Sequence, residues 1–211
     1  MSLTGPVPLH PAEFSPEVID GLRLRLKPGE SVHDPFAGRG VRLGALCDEL
    51  GCEFSGTDIE VWEDSDPRVL QGNSAHSISY PPRPFTVVTS PVYLNRISTD
   101  YVDGPKDTTK PNGRRAYGVS LGRALDSDNL ARLARRPEAF YAAHAEVVRH
   151  WDHRVLLNVD LPMSQPWRNI LNMSGYRMDA VTPVPTKRYR GPANSDKRPE
   201  NEILIVATRT P

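Results

Sequence analysis

The sequence predicts an α/β domain on a mainly parallel sheet, and three observations carry that expectation. Short apolar runs alternate with helical stretches through most of the chain, a glycine-rich turn joins the first run to the first helix, and the chain closes on two apolar runs that read as neighbouring strands. Such a doubly wound sheet has helices on both faces, and its closing pair supplies an antiparallel edge.

The runs follow in order. SVHDPF (31–36) is the first strand, and GVRLGALCDELG is a helix whose Val41, Leu43, Leu46, Cys47 and Leu50 fall on one face before Gly51 ends it. EFSGTDI (53–59), RVLQGN (68–73) and FTVVTS (85–90) are further strands, each ending on small or polar residues. From Leu94 to about Asp126 no periodicity is sustained, a connection longer than the ~15 residues beyond which a structureless loop is usually functional or disordered. A helix is expected over about 129–150, then a strand at 152–160 and a helix in PWRNILNMSG closed by Gly175. YRMDAVTPV and NEILIVATR complete seven strands. With 211 residues, one domain is expected over 1–211, with a polar insertion at about 94–127.

Lys plus Arg and Asp plus Glu both number 26, so net charge implies neither nucleic acid nor membrane. Its distribution does point to an anionic partner. Residues 1–72 hold 6 basic and 13 acidic side chains, residues 94–136 hold 9 and 5, and residues 185–199 hold 5 and 1. Cys47 and Cys52 are too few and too close to staple a fold, and no Cys/His spacing suggests a metal. No apolar run approaches 18 residues and the first residues lack an export signal, so a cytoplasmic location without membrane contact is expected.

DPFAGRG (34–40) stands where the first strand passes to the first helix. Gly38 and Gly40 permit a tight turn and close backbone approach to a ligand, and the helix beyond presents unpaired N–H groups. The pattern is not GxGxxG and has no GKS or GKT, which argues against a phosphate-cradling P-loop. GTDIE places Asp58 18 residues after Gly40, near the ~20-residue offset at which an acid receives ribose hydroxyls in nucleotide-binding α/β folds. Asn73, after the third strand, offers an amide to an adenine edge.

DPFAGRG, GTDIE, QGNSA and TSPVY, in that order and spacing, resemble the motifs of class I S-adenosylmethionine-dependent methyltransferases, in the branch that methylates exocyclic amino groups of DNA bases. HPAEFS (10–15) and SPVYLNR (90–96) are similar, more narrowly, to elements of small bacterial and phage DNA methylase-like proteins. The resemblance implies a Rossmann-like methyltransferase fold and S-adenosylmethionine as cofactor. It places His10, Phe14, Asp34, Phe36, Gly38, Gly40, Asp58, Ile59, Asn73 and Ser90 about that cofactor; Trp62, soon after Asp58 in the sequence, is either a neighbour of the adenine or a core residue. It also implies that the Ser90 hydroxyl and the Pro91 carbonyl accept the amino hydrogens while Tyr93 stacks on a flipped base. This suits the chemistry, because an amino nitrogen conjugated with its ring is a poor nucleophile until acceptors localise its lone pair. Val92 departs from the family's usual second proline and loosens the local backbone. Methylation at cytosine C5 is disfavoured, because neither cysteine stands at the end of the fourth strand.

Two basic stretches interleaved with tyrosine fit the phosphates of DNA. Asn95, Arg96, Lys110, Arg114 and Arg115 belong to the first, and Lys187, Arg188 and Arg190 to the second. No separate recognition domain fits, so specificity is expected to be loose or supplied by a homodimer or another partner. An RNA or free-nucleotide amino methyltransferase, and an idle cofactor-binding or DNA-binding protein, are the alternatives.

Overall fold

The computed structural model describes residues 14–58, 64–91, 137–185 and 201–210. Its strands are β1 (Ser31–Asp34), β2 (Glu53–Asp58), β3 (Val69–Gln71), β4 (Thr86–Thr89), β5 (Arg154–Asp160), β6 (Tyr176–Pro185) and β7 (Asn201–Arg209). They form one sheet in the order β3-β2-β1-β4-β5-β7-β6. The first five strands pair in parallel, whereas β7 runs antiparallel to both β5 and β6. The predicted closing pair therefore supplies the antiparallel edge. The chain order turns back between β1 and β4, and the crevice beyond these two strand ends is where doubly wound sheets bind ligands.

Helices cover both faces. On one, α1 (Pro16–Arg23) and α2 (Val41–Leu50) bury Val18, Leu22, Leu43 and Leu46 against Val32, Phe54, Val88, Leu156 and Leu204. On the other, α3 (Pro137–Val148) and α4 (Leu161–Met173) bring Val147, Trp167, Ile170 and Leu171 onto Val87, Val155, Leu157 and Ile205. The stacked rings of Trp151 and Trp167, 5.9 Å apart, fill the centre of that second core. Alternate residues of β4 and β5 enter opposite cores, as the two-residue period of a strand requires.

Two helices depart from the sequence expectation. α1 was not expected at all, although Ser15 caps it by accepting from the Val18 N–H at 3.3 Å and Pro16 occupies its first position. α4 starts at Leu161, directly after β5, and carries Pro166 in its interior. A proline usually marks a start, and here it gives up one backbone bond inside a helix whose Ile170 and Leu171 are fully buried. The predicted start of α3 near residue 129 lies outside the described residues, as does the polar insertion.

Candidate functional site

The turn after β1 and the turn after β3 are both tied to the end of β2 at the rim of the sheet. β1 ends on Asp34, and the turn that follows rises over β2: the Ala37 N–H donates to the Thr57 carbonyl at 3.1 Å, and the Gly38 N–H donates to Asp58 Oδ2 at 2.8 Å. Gly38 has φ 55° and Gly40, the N-cap of α2, has φ 66°, both left-handed. At Gly40 a Cβ would also lie 2.6 Å from Val69 Cγ2 and 3.2 Å from the Phe54 ring, so glycine is required there by conformation and by space. Gly56 of β2 allows the turn to settle on the strand, since a Cβ there would come within 2.7 Å of Ala37 Cβ.

After β3 the chain is drawn back to the same rim. The Gly72 N–H donates to the Asp58 carbonyl at 2.8 Å, and the Ser74 hydroxyl donates to the Pro35 carbonyl. Asn73 Oδ1 accepts from the Ala75 N–H at 2.9 Å, fixing the side chain in a local turn. Asn73 and Gly72 stand at a groove of about 500 Å³ that runs past His33, Ser55, Leu70, Ile78 and Tyr80 and does not include Asp34, Asp58 or the glycine turn.

Asp34 joins this rim to β4. Its Oδ1 accepts from the Phe36 N–H at 2.9 Å and from the Thr89 hydroxyl at 2.5 Å. The carboxyl is 2% exposed, and burial pushes its pKa up to about 7, against the pull of those two bonds and with some help from the Asp58 charge. β1 and β4 are hydrogen-bonded neighbours, with His33 level with Val87. The Thr89 bond thus ties the end of β4, one residue before Ser90, to the end of β1, where the glycine turn begins. Ser90 there is half-buried and Pro91 buried.

Phe14 reaches the same place from the N-terminal side. It is buried in the core beneath α1, lines a small hollow with Asp34, Ala37 and Gly40, and its carbonyl accepts from Arg42 of α2 at 2.7 Å. Phe36 behaves differently: its side chain belongs to the core of α3 and α4, and its N–H is taken by Asp34. Cys47 and Cys52 are buried away from the end of β4, in α2 and before β2, and burial pushes the Cys47 thiol up to about 12. His10, Ile59, Trp62, Tyr93, Asn95, Arg96, Lys110, Arg114, Arg115, Lys187, Arg188 and Arg190 lie outside the described residues.

Three polar residues of this rim were not singled out from sequence. Thr89 sits inside the TSPVY stretch, but its bond to Asp34 depends on the pairing of β1 with β4. Asn158 and Glu202, 3% and 8% exposed, are joined across β5 and β7 by a bond of 3.0 Å from Asn158 Nδ2 to Glu202 Oε2. A polar residue inside the apolar run RVLLNVD was their one visible signal. Among the described residues no cluster of three metal-ligating side chains occurs, and no helix is long and apolar enough to cross a membrane.

No family model matches the sequence, and no curated protein matches it. Solved structures do. The precorrin-6y C5,15-methyltransferase of Geobacter metallireducens GS-15 superposes with TM-score 0.51 at 12% identity, covering 97% of this chain and 94% of that one. A TehB-like SAM-dependent methyltransferase from Corynebacterium glutamicum gives 0.50 at 12% identity over 92% and 88% of the two chains. With the strand order β3-β2-β1-β4-β5-β7-β6 and helices on both faces, the chain has the Rossmann-like fold of class I methyltransferases.

Proposed function

We propose that this protein transfers a methyl group from S-adenosylmethionine to an exocyclic amino group of cytosine or adenine in DNA. The observation that supports the reading is the hydrogen bond from Thr89 to Asp34, which ties the end of β4, beside the Ser90-Pro91 step, to the end of β1, where the glycine turn begins, at the switch point of the sheet.

The residues present fit the cofactor. Asp58 ends β2 half-buried, with one carboxylate oxygen held by the Gly38 N–H, which supports its reading as the acid that receives the ribose hydroxyls. Asn73 follows β3 at the same end of the sheet, and Phe14 and Gly40 line the hollow beside Asp34. His10 and Ile59 complete the proposed cofactor set. S-adenosylmethionine supplies an electrophilic sulfonium methyl.

The chain's own task is then to orient a weak nucleophile. Ser90 Oγ and the Pro91 carbonyl accept the amino hydrogens, which turns the nitrogen lone pair out of conjugation, and Tyr93 stacks on the extruded base. The nitrogen gains the methyl group and releases a proton to solvent. Asn95, Arg96, Lys110, Arg114 and Arg115, with Lys187, Arg188 and Arg190, contact phosphates and leave sequence unread.

Methyl transfer from labelled cofactor into DNA and into RNA, alongside calorimetry of cofactor binding, tests this. Transfer into DNA should be lost in Ser90→Ala and Tyr93→Ala while cofactor uptake persists. No cofactor uptake by the unaltered chain refutes the reading, and labelling of RNA alone moves the substrate to the other nucleic acid.

A further inference from the structure

The glycine turn after β1 is gripped twice, and only one grip belongs to the cofactor set described so far. Asp58 holds the Gly38 N–H. The connection from Asp64 to Arg68, which leads into β3, holds Arg39, the one residue of Gly38-Arg39-Gly40 that carries a side chain. The Asp66 N–H donates to the Arg39 carbonyl at 2.8 Å, and the Arg39 guanidinium pairs with Asp64 at 2.5 Å. A second grip matters at such a turn. Gly38 and Gly40 both have left-handed φ, and glycine leaves that region for others at little cost, so the turn keeps one shape only when its neighbours hold it.

The connection is itself anchored on both of its other sides. Asp66 Oδ1 accepts from the Arg68 N–H at 2.9 Å and from Nε at 2.8 Å, while Oδ2 accepts from Nη2 at 2.7 Å, a two-pronged pairing of carboxylate and guanidinium. The same guanidinium reaches Asp48 of α2 through Nη1 at 2.6 Å and Nη2 at 3.0 Å. Gly44 of α2 makes room for this network, since a Cβ there would overlap the Asp66 carboxylate and lie 2.8 Å from Arg68 Nη2. The Arg68 carbonyl accepts from the Gly56 N–H of β2 at 3.1 Å. The connection is thus fastened to α2 and to β2, and it grips the turn that stands before α2. Asp64, Asp66 and Arg68 do not border the hollow beside Asp34, so they act on its contents only through the turn.

We propose that Asp64 and Asp66 are positioning residues for cofactor binding, which clamp Arg39 so that the glycine turn keeps the shape that receives S-adenosylmethionine. The inference rests on the cofactor site of the reading above and gives a task to two acids outside it.

Calorimetry of S-adenosylmethionine binding, with urea unfolding of the same variants, tests it. Arg39→Ala and Asp64→Ala should each weaken binding about fivefold, the upper worth of an ion pair whose members are 16% and 45% exposed. The double variant should bind no more weakly than either, and Arg39→Asp combined with Asp64→Arg should recover most of the affinity. Asp66→Ala, which gives up the bonds to Arg68, should weaken binding about tenfold. If Asp66→Ala does not fold, the Arg39 and Asp64 cycle decides alone. Glu30→Gln is the control: it breaks a 2.6 Å ion pair with Arg154, where β1 and β5 begin, and should lower the unfolding midpoint while leaving affinity unchanged. Clamp variants that unfold more easily yet bind the cofactor as tightly as the unaltered chain overturn the inference and make the clamp a purely structural device, and so does an equal loss of affinity in Glu30→Gln. No uptake by the unaltered chain defeats the cofactor site and this inference with it, whereas uptake that no clamp variant alters defeats only the inference.

Discussion

Replacing Asp34 by Asn should reshape the dependence of stability on pH. In the folded protein the Asp34 carboxyl titrates near 7, mainly through burial, while in the unfolded chain it titrates near 3.8. A group whose folded pKa is raised contributes stability that is complete below the unfolded value and is lost as pH rises through the folded one. Asp34 therefore weakens the fold progressively between about pH 4 and pH 7. At ~1.4 kcal/mol per pH unit the whole effect approaches 4 kcal/mol. His33, 2% exposed on the same strand, acts in the opposite sense: burial lowers its pKa from 6.5 to about 4, so its contribution is present above 6.5 and lost as pH falls. The two slopes oppose each other from about pH 4 to 6.5 and hide one another in the unaltered protein.

Subtracting the stability of the unaltered protein from that of Asp34→Asn removes His33 and every other group. The amide still accepts from Phe36 and Thr89 but does not ionise. The difference should favour the variant increasingly with pH, by up to about 4 kcal/mol, and level off above pH 7. Urea unfolding at half-unit steps from pH 4.5 to 8 measures it. A difference that stays flat across that window refutes the argument that burial at the crevice holds the Asp34 proton.

Three further substitutions probe the same rim. Thr89→Val removes the donor to Asp34, and its cost should grow from about 1 kcal/mol at pH 5 to about 2–3 kcal/mol at pH 8, because a bond to an ionised acceptor is the stronger one; thermal melts at both values decide it. Gly40→Ala should cost about 3 kcal/mol from left-handed strain plus overlap with Val69, whereas Gly29→Ala, at φ 80° in open space, should cost about 1 kcal/mol in the same denaturation series. Ser15→Ala should cost about 1 kcal/mol by removing the cap of α1, seen as a lower melting temperature.

The fold was largely legible because the strands of a parallel sheet are apolar throughout and end on small or polar residues. β1, β2, β4 and β5 fall inside the predicted runs, and the observed strands are shorter because Pro35-Phe36 and Gly72-Asn73 already belong to turns. α1 was missed because PEVIDGLR is only eight residues long, with Leu22 and Val18 as its fully buried contacts; Ser15-Pro16 was the available signal. The register between strands was not legible. It depends on pairings such as Leu157 with Ile205, made between runs separated by a helix, a strand and a long connection.

That register separates what sequence tells about the crevice from what it withholds. TSPVY names a hydroxyl and a proline carbonyl, but it does not show the Thr89 bond that ties their strand to Asp34. The bond from Thr89 uses one oxygen of Asp34, the Gly38 N–H uses one of Asp58, and Asn73 Oδ1 is held by Ala75, so each of these acceptors already has work within the fold. The first two of these bonds exist only because β1 pairs with both β2 and β4, neighbours that no single run of the sequence displays.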